Sequence, residues 1–439
     1  MKVKAGLTCA ALGALVSGAS TSANAEFIKD SKATLSMRNL YVNGDNRDGT
    51  ASPSKSEEWA QGFMLNYQSG FTEGTVGFGV DLLSLTGVTL DTGSGSHSGG
   101  TIVPDDGDSG VGTWSRFGAT AKARLAQSEL RLGTLMPKLP ILVANDGRLL
   151  PQTYQGGQVV SKDIAGLTLT GGMLNQVTGR ASTDRTGMSV GGGTQDSNKF
   201  TFAGLDYNVS KELKAQYYFA NLDDFYNQHF VGVLHVLPIN DFSSLTTDFR
   251  YFNTRSSGKN GSGNGRGEGY KVGGYTKNGD GEIDNNTWSL FSTYTLSAHS
   301  FTLGYQSVSE DSNFVQLNQS GLPDKGAGGA SVYLFTDKLI QNFTRAGERT
   351  AFGQYGYDFA GLGVPGLRAG VSYLKGTNIQ TTSAGNQSEW ERDITLDYVV
   401  QAGTFKGMGF AWRNGMSRSE ATRDYDQNRL IVSYSIPLL

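Results

Sequence analysis

The chain has 439 residues, of which 61 are glycine, 22 phenylalanine and 19 tyrosine, yet only 37% are hydrophobic. Its formal net charge is −3 at pH 7, and no bulk basic balance points to a nucleic-acid partner. The only cysteine, Cys9, lies within the first 25 residues, so the rest of the chain can form neither a disulfide nor a thiolate metal site.

Residues 1–25 have the parts of a cleaved export signal. A basic start with Lys2 and Lys4 is followed by an apolar run over residues 5–16 and by the small-x-small end of residues 23–25. No later run reaches the roughly 18 consecutive apolar residues that a membrane helix needs. We therefore expect cleavage before Glu26 and a single exported domain over residues 26–439.

Apolar and polar residues alternate along most of that domain, as in residues 76–82 and 430–436. This period of two indicates strands with one apolar and one wet face, each long enough to cross a bilayer at a tilt. Short turns such as residues 297–299 alternate with long polar stretches such as residues 253–286. The pattern predicts an all-β, transmembrane antiparallel β-barrel with a water-filled lumen. If each strand with its connection takes roughly 20 to 25 residues, the barrel has roughly 16 to 20 strands. A soluble β-sandwich or propeller is the alternative.

The chain ends on an alternating strand, where outer-membrane barrels carry their assembly signal, although the last residue is Leu439 rather than the commoner phenylalanine. We expect the protein in the outer membrane of a Gram-negative bacterium. Its expected partners there are outer-membrane lipid, lipopolysaccharide and the barrel-assembly machinery, and we expect a monomer or a weak homo-oligomer.

If apolar residues face lipid, the alternate positions face the lumen. Closure of a barrel makes the first and last strands neighbours, so three inward arginines near the chain ends would form one column. A column of cations attracts anions, which predicts a small carboxylate as cargo. In the alternative interpretation the cations pair with lumen acids such as Asp81 and Glu129. The inward cations that we take as candidates are Arg38, Lys122, Arg124, Arg131, Arg413 and Arg429; Arg116, Arg250 and Arg368 also have inward positions.

Residues 134–157 break the strand pattern and contain three of the nine prolines. Their apolar content is high for an exposed loop, so something must cover them. A loop folded into the barrel, with Arg148 at the constriction, satisfies this requirement. A loop packed against a partner subunit satisfies it equally well.

Five motifs in order resemble the OprD family of outer-membrane carboxylate channels. The resemblance runs from about Phe27 to the end of the chain and implies 18 strands, with the third and seventh external loops folded inward. It also implies a ladder of arginines for solutes that carry a carboxylate. The motifs are EWAQGF at residues 58–63, GTVGFGVD at 74–81, GTLMP at 133–137, RLLPQT at 148–153 and YVVQAG at 398–403.

Carried over by position, the resemblance assigns five arginines to the ladder or the constriction. It assigns residues 318–332 to the inward seventh loop, with Ser331 as a pore-lining hydroxyl. Ala411 stands where some members have an arginine, which favours cyclic or aromatic acids over basic amino acids, although amino acids stay possible. The five arginines are Arg38, Arg47, Arg148, Arg413 and Arg429.

Other functions remain open at this point. A general diffusion porin would have the same barrel without carboxylate selectivity, and a structural anchor would conduct no ions. A barrel enzyme would need a histidine oriented by an acid, which the four histidines do not offer. An energy-coupled receptor would need an N-terminal plug, and strands begin almost directly after Glu26. No enzymatic activity, cofactor or metal is predicted.

Overall fold

The structure, a computed structural model, describes residues 27–49, 51, 54–92, 101–105, 110–317 and 331–439. The predicted export signal lies outside the described residues. Eighteen strands form one antiparallel sheet, and β6 and β7 pair separately as a small hairpin. The strands are β1 (Lys32–Asn46), β2 (Lys55–Gln68), β3 (Val76–Asp91), β4 (Thr113–Leu125), β5 (Ser128–Leu135), β6 (Lys138–Leu139), β7 (Leu142–Val143), β8 (Thr153–Ser161), β9 (Leu167–Thr178), β10 (Phe200–Asn208), β11 (Leu213–Leu222), β12 (Tyr226–Asn240), β13 (Ser243–Ser256), β14 (Asp284–Leu296), β15 (His299–Val308), β16 (Arg349–Asp358), β17 (Leu367–Ile379), β18 (Gln387–Val399), β19 (Gly409–Ser419) and β20 (Tyr425–Pro437).

The sheet closes on itself. Strand β1 pairs with β2 on one side and with β20 on the other, and β5 pairs directly with β8, so the hairpin of β6 and β7 stays out of the wall. Closure gives each of the 18 described wall strands a neighbour on both sides, which is what a strand-built wall in lipid requires. The expected 18-stranded antiparallel barrel is confirmed.

Side chains alternate between the two faces of the wall. On β20, Leu430 is 51% exposed while its neighbour Arg429 is 8% exposed. Large apolar residues such as Phe117 and Leu303 are exposed on the outer face, at 61% and 71%. The apolar side of this barrel is therefore its outside, the reverse of a water-soluble barrel.

The connections differ at the two ends of the barrel. The end with the chain termini has mostly short turns, such as the two residues between β14 and β15, where Ser297 has a φ of +51°. A 3-10 turn, Phe359–Leu362, also lies at this end. The other end has long loops, and the loop before β14 contains a 3-10 turn at Gly258–Gly261 and the helix α1 (Gly263–Glu268). Within the described ranges, no helix has the length and apolar character needed to cross a membrane.

The third long loop, residues 136–152, folds into the barrel, where Ile141, Leu142, Leu149 and Leu150 are fully buried. It is covered by the barrel's own interior: Gln316 donates a hydrogen bond to the Pro140 carbonyl at 2.9 Å. The loop needs no partner subunit to bury its apolar residues, so the first of the two interpretations is correct.

The irregular segment is shorter than the predicted 134–157, because β5 continues to Leu135 and β8 begins at Thr153. Gly156 explains the error at the second end. Its φ is +154°, the ladder shifts register beside it, and an added Cβ would lie 2.2 Å from the Met173 carbonyl oxygen. This glycine permits close contact between strands rather than marking a loop.

The described parts of the seventh long loop, residues 309–317 and 331–348, also enter the barrel. Of the predicted inward segment 318–332, residues 318–330 lie outside the described residues. The described remainder shows that the inward part extends well past Val332, because Leu334 and Phe343 are buried against the wall.

Candidate functional site

Three arginines from different elements lie together at the constriction. Arg148 comes from the third loop, Arg180 follows the end of β9, and Arg429 lies on β20. The charges of Arg148 and Arg180 act on Arg429. Burial lowers the pKa of Arg148, and burial with repulsion from Arg148 lowers the pKa of Arg180 to about 9. Among the described residues, no carboxylate forms an ion pair with this arginine triad.

Much of the hydrogen-bonding capacity of the arginine triad is unused. Arg429 donates to the Leu339 carbonyl and to the side-chain oxygen of Gln427, both at 2.6 Å. Arg148 donates to the Gly147 carbonyl at 3.1 Å. The Nε of Arg148 is buried without a partner, and Arg180 has no hydrogen bond to any described residue. A guanidinium has five donors in a planar fork, so the triad can donate several hydrogen bonds to an anion.

An acid of the seventh loop lies near the arginine triad. Asp337 accepts a hydrogen bond from the Val332 amide at 2.9 Å and another from the hydroxyl of Ser331, the predicted pore-lining residue. Burial raises the pKa of Asp337 to about 6, and the charges of Lys338 and Arg180 oppose that rise. Burial also lowers the pKa of Lys338. The constriction therefore holds a titratable anion beside its cations.

Side chains of the wall hold the seventh loop in place. Glu391 accepts hydrogen bonds from the amides of Ile340, at 2.9 Å, and Gln341, at 2.7 Å. Arg250 donates to the Tyr333 carbonyl at 3.0 Å, and its guanidinium lies 3.8 Å from the centre of the Tyr333 ring. Because these bonds reach the loop backbone, they fix the position of the loop independently of its side chains.

The predicted arginine column is present on β19, β20 and β1, but two of its members are already paired. Arg413 lies opposite Arg429 in the ladder and forms an ion pair with Asp397 at 2.5 Å. Arg38 forms an ion pair with Asp146 of the third loop at 2.9 Å. Arg429 is the member of the column that forms no ion pair among the described residues.

Two predicted cations follow the alternative interpretation and pair with lumen acids. Lys122 is buried, lies 2.6 Å from Asp81 and donates to the Ser69 carbonyl at 2.8 Å. Arg131 lies 2.5 Å from Glu129. The charge of Lys122 in particular is compensated by Asp81.

The remaining predicted cations lie at the two ends of the barrel. The guanidinium of Arg124 is 4.3 Å from the centre of the Phe71 ring, at the end with the termini. Arg47, in the bend after β1, forms ion pairs with Asp45 at 2.6 Å and Asp426 at 3.5 Å. Neither residue lies in the arginine triad.

Sequence reasoning missed Arg180 and Asp337. Both lie in connecting segments, where the inward-or-outward rule for strands does not apply. The one local signal for Arg180 is its place two residues after the last residue of β9, Thr178. That signal indicates nearness to the barrel wall but not which way the side chain points.

A closed strand barrel with an apolar outer face, a charged interior and two inward loops is an outer-membrane channel. The model of the family described as "outer membrane porin, OprD family" matches residues 25–438. The chain belongs to the OprD family of outer membrane porins. It is a substrate-specific channel for small solutes, not an enzyme, and its place is the outer membrane.

Similar proteins cover nearly the whole chain. Porin-like protein GalP of Pseudomonas putida is 37% identical over 420 residues, which are 94% of this chain and 93% of the relative. The crystal structure of Pseudomonas aeruginosa OccK8 (OprE) has a TM-score of 0.86 at 51% identity and covers 94% of this chain and 100% of its own. The crystal structure of Pseudomonas aeruginosa OpdK with vanillate has a TM-score of 0.82 at 34% identity, with the same two coverages.

Proposed function

We propose that this porin selects small solutes that carry a carboxylate, with cyclic or aromatic acids favoured, and lets them diffuse passively past the arginine triad. The observation that carries the proposal is the triad itself: three desolvated cations with spare donors and no carboxylate partner among the described residues. Charge-assisted hydrogen bonds to a carboxylate compensate such a cluster, and they are strong where water is scarce.

Two further observations support the proposal. Arg413 lies at the level of Arg429, and Arg38 lies four ladder positions nearer the chain termini, so an anion meets successive guanidinium groups along one side of the lumen. Vanillate, the ligand named with OpdK, is an aromatic carboxylate. Amino acids are compatible with the same constriction, because Asp337 offers an anion for their ammonium group.

Benzoate and benzamide test the proposal, because they share ring and shape and differ in charge. Uptake of each by proteoliposomes is measured for the wild type and for Arg180→Gln. We expect the variant to lower benzoate uptake about 10-fold and to leave benzamide uptake unchanged, since a hydrogen bond to a charged group contributes about 1.5–3 kcal/mol. Arg368→Gln, at an exposed arginine paired with Asp358, is the matched control and should change neither uptake.

A general diffusion porin is the second candidate, and the pairing of Lys122 and Arg413 with acids favours it. Such a porin would take up benzoate and benzamide equally in the wild type. Equal losses of both solutes in Arg180→Gln would show that Arg180 only shapes the passage.

A further inference from the structure

Two neighbouring cavities with shared lining residues lie under the third loop, and together we call them the exit chamber. Their volumes are about 500 and 340 Å³, and both are lined by Asn66, Leu83, Met136 and Lys138. The larger cavity is also lined by Gln127 and Lys162, which lie in two of the short turns. Since short turns mark the periplasmic end of such barrels, the exit chamber lies between the constriction and the periplasm.

One side of the exit chamber is apolar. Met136 directly follows β5 and is 43% exposed, although it lies inside the barrel. Met64 and Leu85 lie opposite each other in the ladder of β2 and β3, and Leu83 lies two residues before Leu85 on the same face. The interior of a water-filled barrel is normally polar, so two thioethers and two leucines around one cavity need an explanation.

A cation stands beside this apolar side. Lys138 follows Met136 by two residues and is exposed, and its ammonium group forms no ion pair or hydrogen bond within the described part of the chain. Residues two apart in an extended segment are about 6–7 Å apart. One benzoate-sized molecule can therefore contact Met136 with its ring and Lys138 with its carboxylate at the same time.

We propose that the exit chamber is a second subsite for the channel's cargo, in which an aromatic ring packs on Met136 and Met64 while its carboxylate pairs with Lys138. The inference rests on the proposed carboxylate selectivity and adds a property that the arginine triad lacks. Guanidinium groups bind the carboxylate of any acid, whereas thioethers favour an aromatic ring over a short alkyl chain. The exit chamber therefore sets the preference for aromatic over aliphatic acids.

The test compares uptake of benzoate, propionate and benzamide by proteoliposomes. The double variant Met64→Gln/Met136→Gln keeps side-chain length and removes the thioethers. We expect it to lower the benzoate-to-propionate uptake ratio roughly 2- to 10-fold, the range of a sulfur–aromatic contact. Lys138→Gln should lower uptake of both acids and spare benzamide. Met408→Gln, in the turn between β18 and β19, is the matched control and should leave every ratio unchanged.

The outcomes separate this inference from the proposed function. An unchanged benzoate-to-propionate ratio in the double variant, in a channel that still prefers benzoate to benzamide, overturns the exit chamber as a subsite and leaves the carboxylate selectivity standing. Equal uptake of benzoate and benzamide by the wild type overturns the carboxylate selectivity. In that case a lower uptake ratio in the double variant would still show that the chamber binds the ring.

Discussion

Arg413 and Arg429 lie directly opposite each other in the ladder between β19 and β20, so two guanidinium groups share one level of the inner wall. Their surroundings differ. Arg413 is 2.5 Å from the carboxylate of Asp397, whereas Arg429 donates to a backbone carbonyl, that of Leu339. Two arginines at the same height therefore present different net charge to a passing solute.

This difference predicts unequal effects of two equivalent substitutions. Arg429→Gln should lower the benzoate-to-benzamide uptake ratio about 10-fold, because it removes a cation that forms no ion pair among the described residues and can make charge-assisted hydrogen bonds to the solute. Arg413→Gln should change the ratio by less than about 3-fold, since Asp397 already pairs with that charge. Uptake by proteoliposomes measures both, and equal effects would contradict the assignment of Arg429 as the member of the column that is open to the solute.

The anion selectivity of the channel should increase as the pH falls from 7 to 5. Asp337 has its pKa raised to about 6 by burial, so it is mainly ionised at pH 7 and mainly neutral at pH 5. When it is neutral, it no longer offsets the cations around it, and the net positive charge of the constriction is larger. The reversal potential of a planar bilayer in a KCl gradient measures the change.

Asp337→Asn should be as anion-selective at pH 7 as the wild type is at pH 5, with little further change on acidification. Asp163→Asn is the control, because hydrogen bonds from Ser128, Gln127 and Ser161 keep the pKa of Asp163 below its ordinary value. That variant should keep the wild-type pH dependence. A pH dependence that persists in Asp337→Asn would assign it to another group.

Loss of the Glu391 carboxylate should loosen the seventh loop. Glu391→Ala removes the acceptor of two backbone amides, Ile340 and Gln341, and each buried amide left without its acceptor costs about 1–3 kcal/mol. We expect larger and noisier single-channel currents from a constriction that no longer keeps one position. Glu420→Ala is the control. It removes a carboxylate that accepts a hydrogen bond from the Ser388 amide at the rim, and it should leave the currents steady. Steady currents from Glu391→Ala would show that other contacts suffice.

Lys122 should matter for stability rather than for selectivity. Asp81→Ala leaves the ammonium of Lys122 buried without its partner, which costs about 3–5 kcal/mol of unfolding free energy. Lys122→Met/Asp81→Asn removes both charges and should recover most of that loss. Unfolding in urea from lipid vesicles measures the differences. Asp45→Ala, which removes one of the two ion pairs of the exposed Arg47, should cost less than about 1 kcal/mol.

A selectivity measurement completes this prediction. Lys122→Gln should leave the benzoate-to-benzamide ratio unchanged, because the Lys122 charge does not reach the solute. A ratio that falls as far as in Arg429→Gln would place Lys122 in the pathway after all.

The sequence was sufficient for the barrel because its signal is local. Polarity alternates from residue to residue along each strand, as between Arg429 and Leu430. This period of two fixes which residues face the lipid and which face the lumen. Closure of the barrel followed from the number of strands, and it placed Arg38 beside the last strand as predicted. The apolar content of the third loop predicted that something covers it, and the structure decided for the barrel interior over a partner subunit. Gly156 was misread as part of that loop.

The charge state of the pathway was not predictable in the same way. Whether Lys122 is free or paired depends on which residue of β3 lies near it, and that is set by the register between two strands. Arg180 and Asp337 lie in loops, whose side-chain directions follow from packing against distant parts of the chain. Alternation along one strand contains no information on either point.

By itself, then, the sequence determined an exported barrel, the faces of its strands and a set of inward arginines, since each depends on residues close together in the chain. The tertiary structure decided which of those arginines form ion pairs with acids, which do not, and which loop residues lie beside them. Electrostatic compensation acts between groups that only folding brings together, so the register of the wall and the packing of two loops select the triad Arg148, Arg180 and Arg429.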